Sequence, residues 1–296
     1  MQMPRSIILR AGLRSYGLGM NRNQVLVLGG TGTTGRRINA RLAARGITHR
    51  SASRTSEPRF DWNDSATWDA VIEGVRSVYL LPLDGEVLTR PFVKRAKELG
   101  VERVVLHSGR GVDVPGYMDL SAPAAQTHID GEDAVRSSGL EWTILRPGWF
   151  AQNFSEGFFA EAVKAGEMRF PAGDGAATFV DVEDIADVAV AALTEDGHAG
   201  KTYELSGPRA LSLNEVARIL GKARGKRVVY TAITVAAFVA ESVAQGWAEE
   251  DAKGFAEVFH PLRTGLDAHY SSGVEEALGR KPRTFEAFAE SAARIL

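Results

Sequence analysis

The chain has no cysteine among its 296 residues. That excludes disulfides, iron–sulfur clusters, thiolate zinc sites and cysteine nucleophiles, and makes a reducing, cytoplasmic setting the expectation. No apolar run is long enough for a membrane: the longest charge-free one, Val228 to Ala240, falls short of the roughly 20 residues that a spanning helix needs. Nor is there a large charge imbalance. With 35 Lys and Arg against 37 Asp and Glu, the net charge of −2 gives no global pull toward nucleic acid or an anionic membrane. The six histidines show no His-Glu-x-x-His or other compact ligand spacing, so no metal is expected. What remains, 44% apolar and 24% charged, is an ordinary globular composition on a chain about twice as long as a typical single domain.

One local absence is sharper. No acidic residue precedes Glu57, whereas Arg5, Arg10, Arg14, Arg22, Arg36, Arg37, Arg41, Arg45, Arg50 and Arg54 all do. Residues 1–19 are arginine-bearing and slightly amphipathic, as an organellar transit peptide is. The alternative, adopted here, is a start at Met20, which makes residues 1–21 a disordered or artefactual extension.

From Gln24 the chain becomes regular. Gln24-Val-Leu-Val-Leu-Gly-Gly is a short apolar run ending in glycine, and Ile38, Leu42 and Ala43 follow at helical spacing up to Gly46. Strands are expected at 47–51, 75–81, 101–107 and 142–145, with helices at 66–72, 88–99 and 123–138 ending near Gly74, Gly100 and Gly139. This alternation predicts an α/β fold: a Rossmann-like doubly wound parallel sheet with a smaller mixed α/β lobe. We assign residues 22–147 to the sheet domain, with 178–206 returning to it through a strand at 177–182, a helix capped by Asp181 or Asp184, and a strand at 202–205. Residues 148–177 and 207–296 form the smaller lobe over the sheet's carboxyl edge. Within it, Ala232–Trp247 is apolar almost all round and is expected to be buried or to line a cleft.

Gly29-Gly-Thr-Gly-Thr-Thr-Gly35 sits between the first strand and the first helix. Gly29 permits the tight turn, Gly32 lets backbone approach a pyrophosphate, and Gly35 lets helix and strand pack closely. The helix amino end then offers unpaired N–H groups to the phosphates, which brings in Thr31, Thr33 and Thr34. Two competing motifs fail. Arg36-Arg37 stand where a Walker loop needs Lys-Ser/Thr, and Leu106 stands where a nucleophile elbow at Ser108 needs glycine. The dinucleotide type follows from charge. Sites for NAD place a carboxylate about 20 residues past the loop to hold the ribose 2′-hydroxyl. Here the stretch is His49-Arg-Ser-Ala-Ser-Arg-Thr. Ser53 and Arg54 suit a 2′-phosphate and Arg36 is a second cation, so the expected cofactor is NADP.

The chain resembles the NmrA-like branch of the atypical short-chain dehydrogenase/reductases over about residues 22–225. The resemblance rests on Val25-Leu-Val-Leu-Gly-Gly-Thr-Gly-Thr-Thr-Gly-Arg, Ser137-Ser-Gly-Leu-Glu-Trp-Thr-Ile-Leu-Arg-Pro-Gly-Trp-Phe and Phe179-Val-Asp-Val-Glu-Asp-Ile-Ala. Phe60-Asp-Trp-Asn-Asp with Trp68 and Leu193-Thr-Glu is similar to ergot-alkaloid reductases, and His128-Ile-Asp-Gly-Glu132 to type-2 quinone oxidoreductases. The resemblance implies that Asp61 and Trp62 lie near adenine and that Leu80, Leu81 and Pro82 flank a ribose. It also implies that Ser108, Pro147, Trp149 and Phe150 lie beside nicotinamide. The chain departs from ordinary short-chain dehydrogenases in having no tyrosine with a lysine four residues later.

Proton delivery then falls to solvent or to a nearby acid. His128 is the first candidate, with Glu132 one helical turn on to favour its imidazolium; Tyr117 and Ser108 are secondary. The expectation is an NADP(H)-dependent oxidoreductase acting on a small apolar conjugated or aromatic molecule. The alternative is a non-catalytic NADP sensor. The expected partner is a small-molecule substrate, not nucleic acid or membrane, and monomer and homodimer both stay open.

Overall fold

The computed structural model describes residues 24–295, so the extension read over residues 1–21 lies outside the described residues. In chain order the elements are β1 (Gln24–Leu28), α1 (Thr33–Ala44), β2 (His49–Ala52), α2 (Trp68–Ile72), β3 (Val75–Leu80), α3 (Thr89–Glu98), β4 (Arg103–His107), α4 (Pro123–Arg136) and β5 (Glu141–Pro147). There follow α5 (Ala160–Ala165), β6 (Glu167–Phe170), β7 (Ala176–Ala177), α6 (Val182–Thr194), β8 (Lys201–Leu205), β9 (Leu211–Ser212), α7 (Leu213–Arg224) and β10 (Val229–Ala232). The chain closes with α8 (Val235–Ala244), α9 (Glu249–Glu257), α10 (His260–Arg263), α11 (Gly273–Leu278) and α12 (Phe285–Ala292).

Six strands form one parallel sheet in the order β2-β1-β3-β4-β5-β8. Side chains alternate across each strand, so β1 feeds both faces. Val25 and Val27 join Ile38 and Leu42 of α1 and the apolar face of α6, whereas Leu26 and Leu28 join Ile72, Phe92, Val93 and Val135 from α2, α3 and α4. Helices on both faces confirm the expected Rossmann-like sheet, and the chain reverses at Gly46, Gly74, Gly100 and Gly139, all with positive φ. A third apolar cluster draws Phe154, Phe159, Phe170, Leu220, Phe259 and Phe288 together from beyond β5, around the two-stranded pairs β6–β10 and β7–β9. No helix among the described residues is long and apolar enough to cross a membrane.

Two expectations are corrected. The strand at 177–182 reduces to Ala176–Ala177 and one bridge between Val180 and Phe150. Thr178 instead gives its N–H to the Asp267 carbonyl and its hydroxyl to that of His269, and Asp181 begins α6 by accepting the Glu183 N–H. Of the two alternatives for α8, burial fails: only Phe238 and Ser242 are buried, because α8 pairs with α9 at the margin of the third cluster and turns Ala236, Ala240, Val243 and Ala244 outward.

Helix α6 ties the sheet to the chain's end. Asp184 is fully buried and accepts the Arg283 backbone N–H at 2.7 Å and the Arg280 guanidinium at 2.8 Å, and it also contacts the Arg283 guanidinium. Asp184→Ala leaves the Arg283 N–H without an acceptor. We expect a loss of about 1–3 kcal/mol, read as a lower melting temperature. An unchanged melting temperature would mean that this network contributes nothing to stability.

Candidate functional site

The turn from β1 into α1 excludes side chains. Gly29 has φ +65°, and a Cβ there would meet the Leu81 side chain at 2.6 Å. A Cβ on Gly35 would stand 2.2 Å from the Gly29 carbonyl oxygen, so α1 lies against the turn at backbone distance. Gly30, which sequence reasoning did not single out, is closed by Ser51 and by Asn39, whose Nδ2 donates to the Gly30 carbonyl at 3.0 Å. Gly32 differs: among the described residues, a Cβ there would meet only the Gly29 carbonyl oxygen, at 3.2 Å. It begins α1 with no side-chain cap, and the first turn (Thr33, Thr34, Gly35) holds no acidic residue. Thr31 beside it is exposed. An open, uncapped helix amino end lined by small residues fits a pyrophosphate. It lies where the strand order reverses, between β1 and β3, which is where ligands bind in such sheets.

The crevice wall continues past β2 and β3. Arg54 is exposed, and among the described residues no ion-pair partner is found for it; the Ser53 hydroxyl meets that of Thr55 at 3.3 Å. The Asp61 carboxylate is held by Arg59 at 2.6 Å and by the Asn63 N–H at 3.1 Å. The Trp62 indole N–H donates to the Leu81 carbonyl at 3.1 Å while its ring packs on Phe60, Trp68 and Phe92, bracing the end of β3. Leu81 and Pro82 are half-buried at that end. Leu80 is a correction: its side chain is fully buried on the α3 and α4 face and does not line the crevice.

At the far end the polar side chains are engaged with one another. Ser108, directly after β4, is buried; its hydroxyl donates to Glu132 at 2.8 Å. Glu132, 2% exposed, takes two arms of Arg146 at 2.7 and 2.8 Å and one of Arg136 at 2.8 Å. Burial pushes the Glu132 carboxyl up, but the hydrogen bonds from Arg146 and Ser108 outweigh it and hold the group below the usual range. The expected His128–Glu132 pair is therefore corrected: the carboxylate belongs to Arg146. The His128 imidazole makes no hydrogen bond among the described residues, and its Nδ1 is buried without a partner. Burial holds its pKa below the ordinary value, against the opposing charges of Asp84 and Glu132.

Tyr117 and Ser108 are corrected as proton donors too. The buried Tyr117 hydroxyl donates to Asp267 at 2.6 Å, and burial and the Asp267 charge push its pKa well above the ordinary value. The other Asp267 oxygen accepts the Trp149 indole N–H at 2.8 Å. Asp267 was missed because it arrives from a distant loop with no local motif. The Ser108 hydroxyl is committed to Glu132. Pro147 is buried and its carbonyl accepts the Arg110 N–H at 3.2 Å, while Trp149 stacks on Phe159 and Phe150 meets His107 edge-on. His107 is itself neutral: it shares a 2.7 Å hydrogen bond with the Tyr79 hydroxyl, and burial lowers its pKa to about 4.

A further set of contacts joins the glycine turn to the third cluster. Arg36, expected as a second phosphate cation, is paired with Glu156, which also holds Arg37 at 2.7 Å. Glu156 had no sequence signal, since it lies about 120 residues from its partners in an irregular segment. Among the described residues, no group of three or more His, Asp or Glu side chains is placed to hold a metal ion.

The NAD(P)H-binding family matches residues 29–196, and the chain belongs to that family. Its membership in the NmrA-like group of atypical short-chain dehydrogenase/reductases agrees with its relatives. An NAD(P)H azoreductase of Xenophilus azovorans is 32% identical, over 90% of this chain and 97% of that one. An agroclavine dehydrogenase of Claviceps fusiformis is 30% identical, over 89% and 95%. The crystal structure of an NADPH-dependent quinone oxidoreductase of Escherichia coli matches with a TM-score of 0.71 at 27% identity, covering 92% of this chain and 99% of that one.

The two kinds of glycine in the turn are separable. Gly35→Ala forces α1 off the turn and should lower both melting temperature and dinucleotide affinity. Gly32→Ala meets the Gly29 carbonyl oxygen at 3.2 Å, against 2.2 Å for Gly35→Ala, and should lower melting less. It should weaken dinucleotide binding roughly tenfold or more, because the methyl group stands where a phosphate would approach the backbone. Titration and thermal melts of both variants check this; equal loss of stability in the two would remove the distinction.

Proposed function

We propose that this member of the NAD(P)H-binding family is an NADP(H)-dependent oxidoreductase that reduces a small apolar conjugated or aromatic substrate: a quinone, an enone or an imine. One observation carries the reading. Beyond β4 and β5, Ser108, Glu132, Arg146, Tyr117, Asp267 and Trp149 all satisfy one another, whereas the His128 imidazole is uncommitted. The azo compounds and quinones in the names of its relatives support acceptors of this kind.

The residue roles follow. The turn at Gly29, Gly32 and Gly35, with the N–H groups of Thr33 and Thr34, would hold a pyrophosphate. Arg54 and Ser53 would hold a 2′-phosphate, with Asp61 and Trp62 toward the adenine end. Leu81 and Pro82 would flank the ribose, and Pro147, Trp149 and Phe150 would wall the nicotinamide end. When bound, the dinucleotide supplies a hydride. His128 gives the Nε2 proton to the substrate atom that becomes negative, and solvent returns a proton to the ring. One hydride and one proton thus reduce one double bond. The segments 148–177 and 207–296 would form the substrate lobe, with Phe158 and Trp247 as its exposed aromatic surface.

Anaerobic NADPH oxidation against a panel of quinones, enones and cyclic imines tests the activity. Tight NADPH binding with no oxidation by any acceptor would replace the reading with a non-catalytic NADP-sensing protein. His128→Phe should lower kcat by roughly 10²–10⁴-fold with NADPH affinity nearly unchanged; unaltered turnover would remove His128 as proton donor. Arg54→Ala should weaken NADPH by roughly 10- to 150-fold and leave NADH nearly untouched, because only NADPH carries the phosphate. Wild-type protein that binds NADH as tightly as NADPH would overturn the charge argument.

A further inference from the structure

A second place where the fold leaves cations unanswered lies at the end of α7. A cleft of about 490 Å³ runs between the exposed side of α7 and the segment that leads into β10. Arg218, Lys226 and Arg227 line it. All three are exposed, and no ion pair or hydrogen bond is found for their side chains among the described residues. Lys222, one helical turn after Arg218 on the same face, is a fourth such cation. Among the described residues, no carboxylate lines the cleft. Glu215, Glu286 and Glu167 on the adjoining elements are engaged elsewhere: Glu215 closes the capping box of α7 with Ser212, Arg209 holds Glu286 at 2.6 Å, and Glu167 accepts from the Thr231 hydroxyl at 3.0 Å. Ala217, Val228 and Tyr230, buried against the third cluster, form an apolar floor. Gly221 brings the two walls together. A Cβ there would stand 3.1 Å from the Lys226 carbonyl oxygen and 3.2 Å from the Val228 nitrogen, so residues 226–228 lie against the helix backbone. Basic residues in a last helical turn commonly answer the negative end of a helix, and Arg224 does this for α5, giving its guanidinium to the Lys164 carbonyl at 3.2 Å. That account does not reach Lys226 and Arg227, which follow the helix, or Arg218, which precedes its last turn.

We propose that this cleft binds a small organic phosphate, with the Arg218 and Arg227 guanidinium groups and the Lys226 ammonium on the phosphate oxygens and the apolar floor beneath the organic part. A phosphate monoester carries nearly two negative charges and three acceptor oxygens at neutral pH, and guanidinium matches those oxygens with paired donors. A carboxylate, with one charge, would leave cations unanswered, and a cationic ligand is excluded by sign. The volume lies within the roughly 300–1,000 Å³ of small-molecule pockets, enough for one such ligand. None of the lining residues belongs to the glycine turn, to the wall at Leu81 and Pro82 or to the end at Pro147, Trp149 and Phe150, so the site is additional to the dinucleotide crevice.

The test is an amide NMR titration with phenyl phosphate and, separately, with inorganic phosphate, each at ionic strength matched with sodium chloride. The amides of Gly221, Gly225, Arg227 and Val228 should shift saturably, and phenyl phosphate should bind several-fold tighter than inorganic phosphate. In a variant carrying Arg218→Gln, Lys226→Gln and Arg227→Gln, the Kd read at these amides should rise roughly tenfold or more, the least that losing a hydrogen bond to a charged group predicts. Its melting temperature should be nearly unchanged, because all three side chains are exposed. Arg54→Ala should leave the same Kd unchanged, which separates this site from the one proposed for the dinucleotide. The readout is binding, so the result does not depend on whether NADPH is oxidised. No saturable shift at these amides, an unchanged Kd in the triple variant, or equal shifts from sodium chloride alone overturns the site. Equal affinity for the two phosphates overturns the organic ligand.

Discussion

The approach of α1 to the turn after β1 sets the position of much else. Because position 35 has no side chain, the helix backbone touches the Gly29–Gly30 turn. Ile38 and Leu42 can then enter the same apolar layer as Val25 and Val27. At that depth the outer face of α1 meets α6, where Arg37 reaches Glu183 and Arg41 reaches both Glu183 and Asp187. Asp187 and the buried Asp184 carry the connection on to Arg280 and Arg283, just before α12. A helix displaced by one methyl radius would lose this sequence of short contacts together. The missing side chain at position 35 thus fixes the frame around the glycine turn.

The far end of the crevice is organised by charge rather than by closeness. Arg146 projects from β5 and Glu132 from α4, both nearly excluded from water, and each has several partners: Arg146 also holds Asp113, and Glu132 also accepts from Ser108 and Arg136. A buried ion pair offsets its desolvation cost only when the remaining lone pairs and hydrogens are satisfied, as they are here. The Asp267 carboxylate does the same for Tyr117 and Trp149, one oxygen each. These two networks hold the segments after β4 and β5 in fixed relation. They leave the neighbouring imidazole outside both.

Local signals in the sequence were enough for the sheet. Short runs between helical segments closing at glycine located β1 to β5 within a few residues, because the strands inside the edge strand β2 are largely buried by helices whose own periodicity is readable. The strand expected at 177–182 failed because Thr178 finds its partners in the loop at Asp267–His269, about 90 residues away. Burial of α8 did not follow, because an all-round apolar composition does not say how much of it finds a neighbour. The glycine turn was legible since its demands are local, apart from Gly30, whose neighbours come from α1 and β2. The His128–Glu132 spacing was a true helical relation, but spacing says nothing of a stronger competitor such as Arg146 on an adjacent strand. Long-range polar partners were the recurrent omission.

The arginines after β1 show what such partners change. In sequence they form an acid-free, uniformly positive stretch up to Glu57. In space the charge is answered from elsewhere: Arg36 and Arg37 by Glu156, Arg37 and Arg41 by Glu183, Arg41 by Asp187, and Arg45 by Glu195 at 3.0 Å. Arg50 gives its guanidinium to the carbonyls of Val71 and Glu73. Among the described residues of this stretch, Arg54 is left without such a contact. An arginine already held by a carboxylate must give up that bond before it can bind a phosphate, which cancels much of the gain. A free one at the end of β2 meets a near-dianion at no such cost. Nor does that strand end carry a carboxylate for an unphosphorylated ribose. The case for a 2′-phosphate therefore rests less on the number of cations than on the one that the fold leaves unpaired.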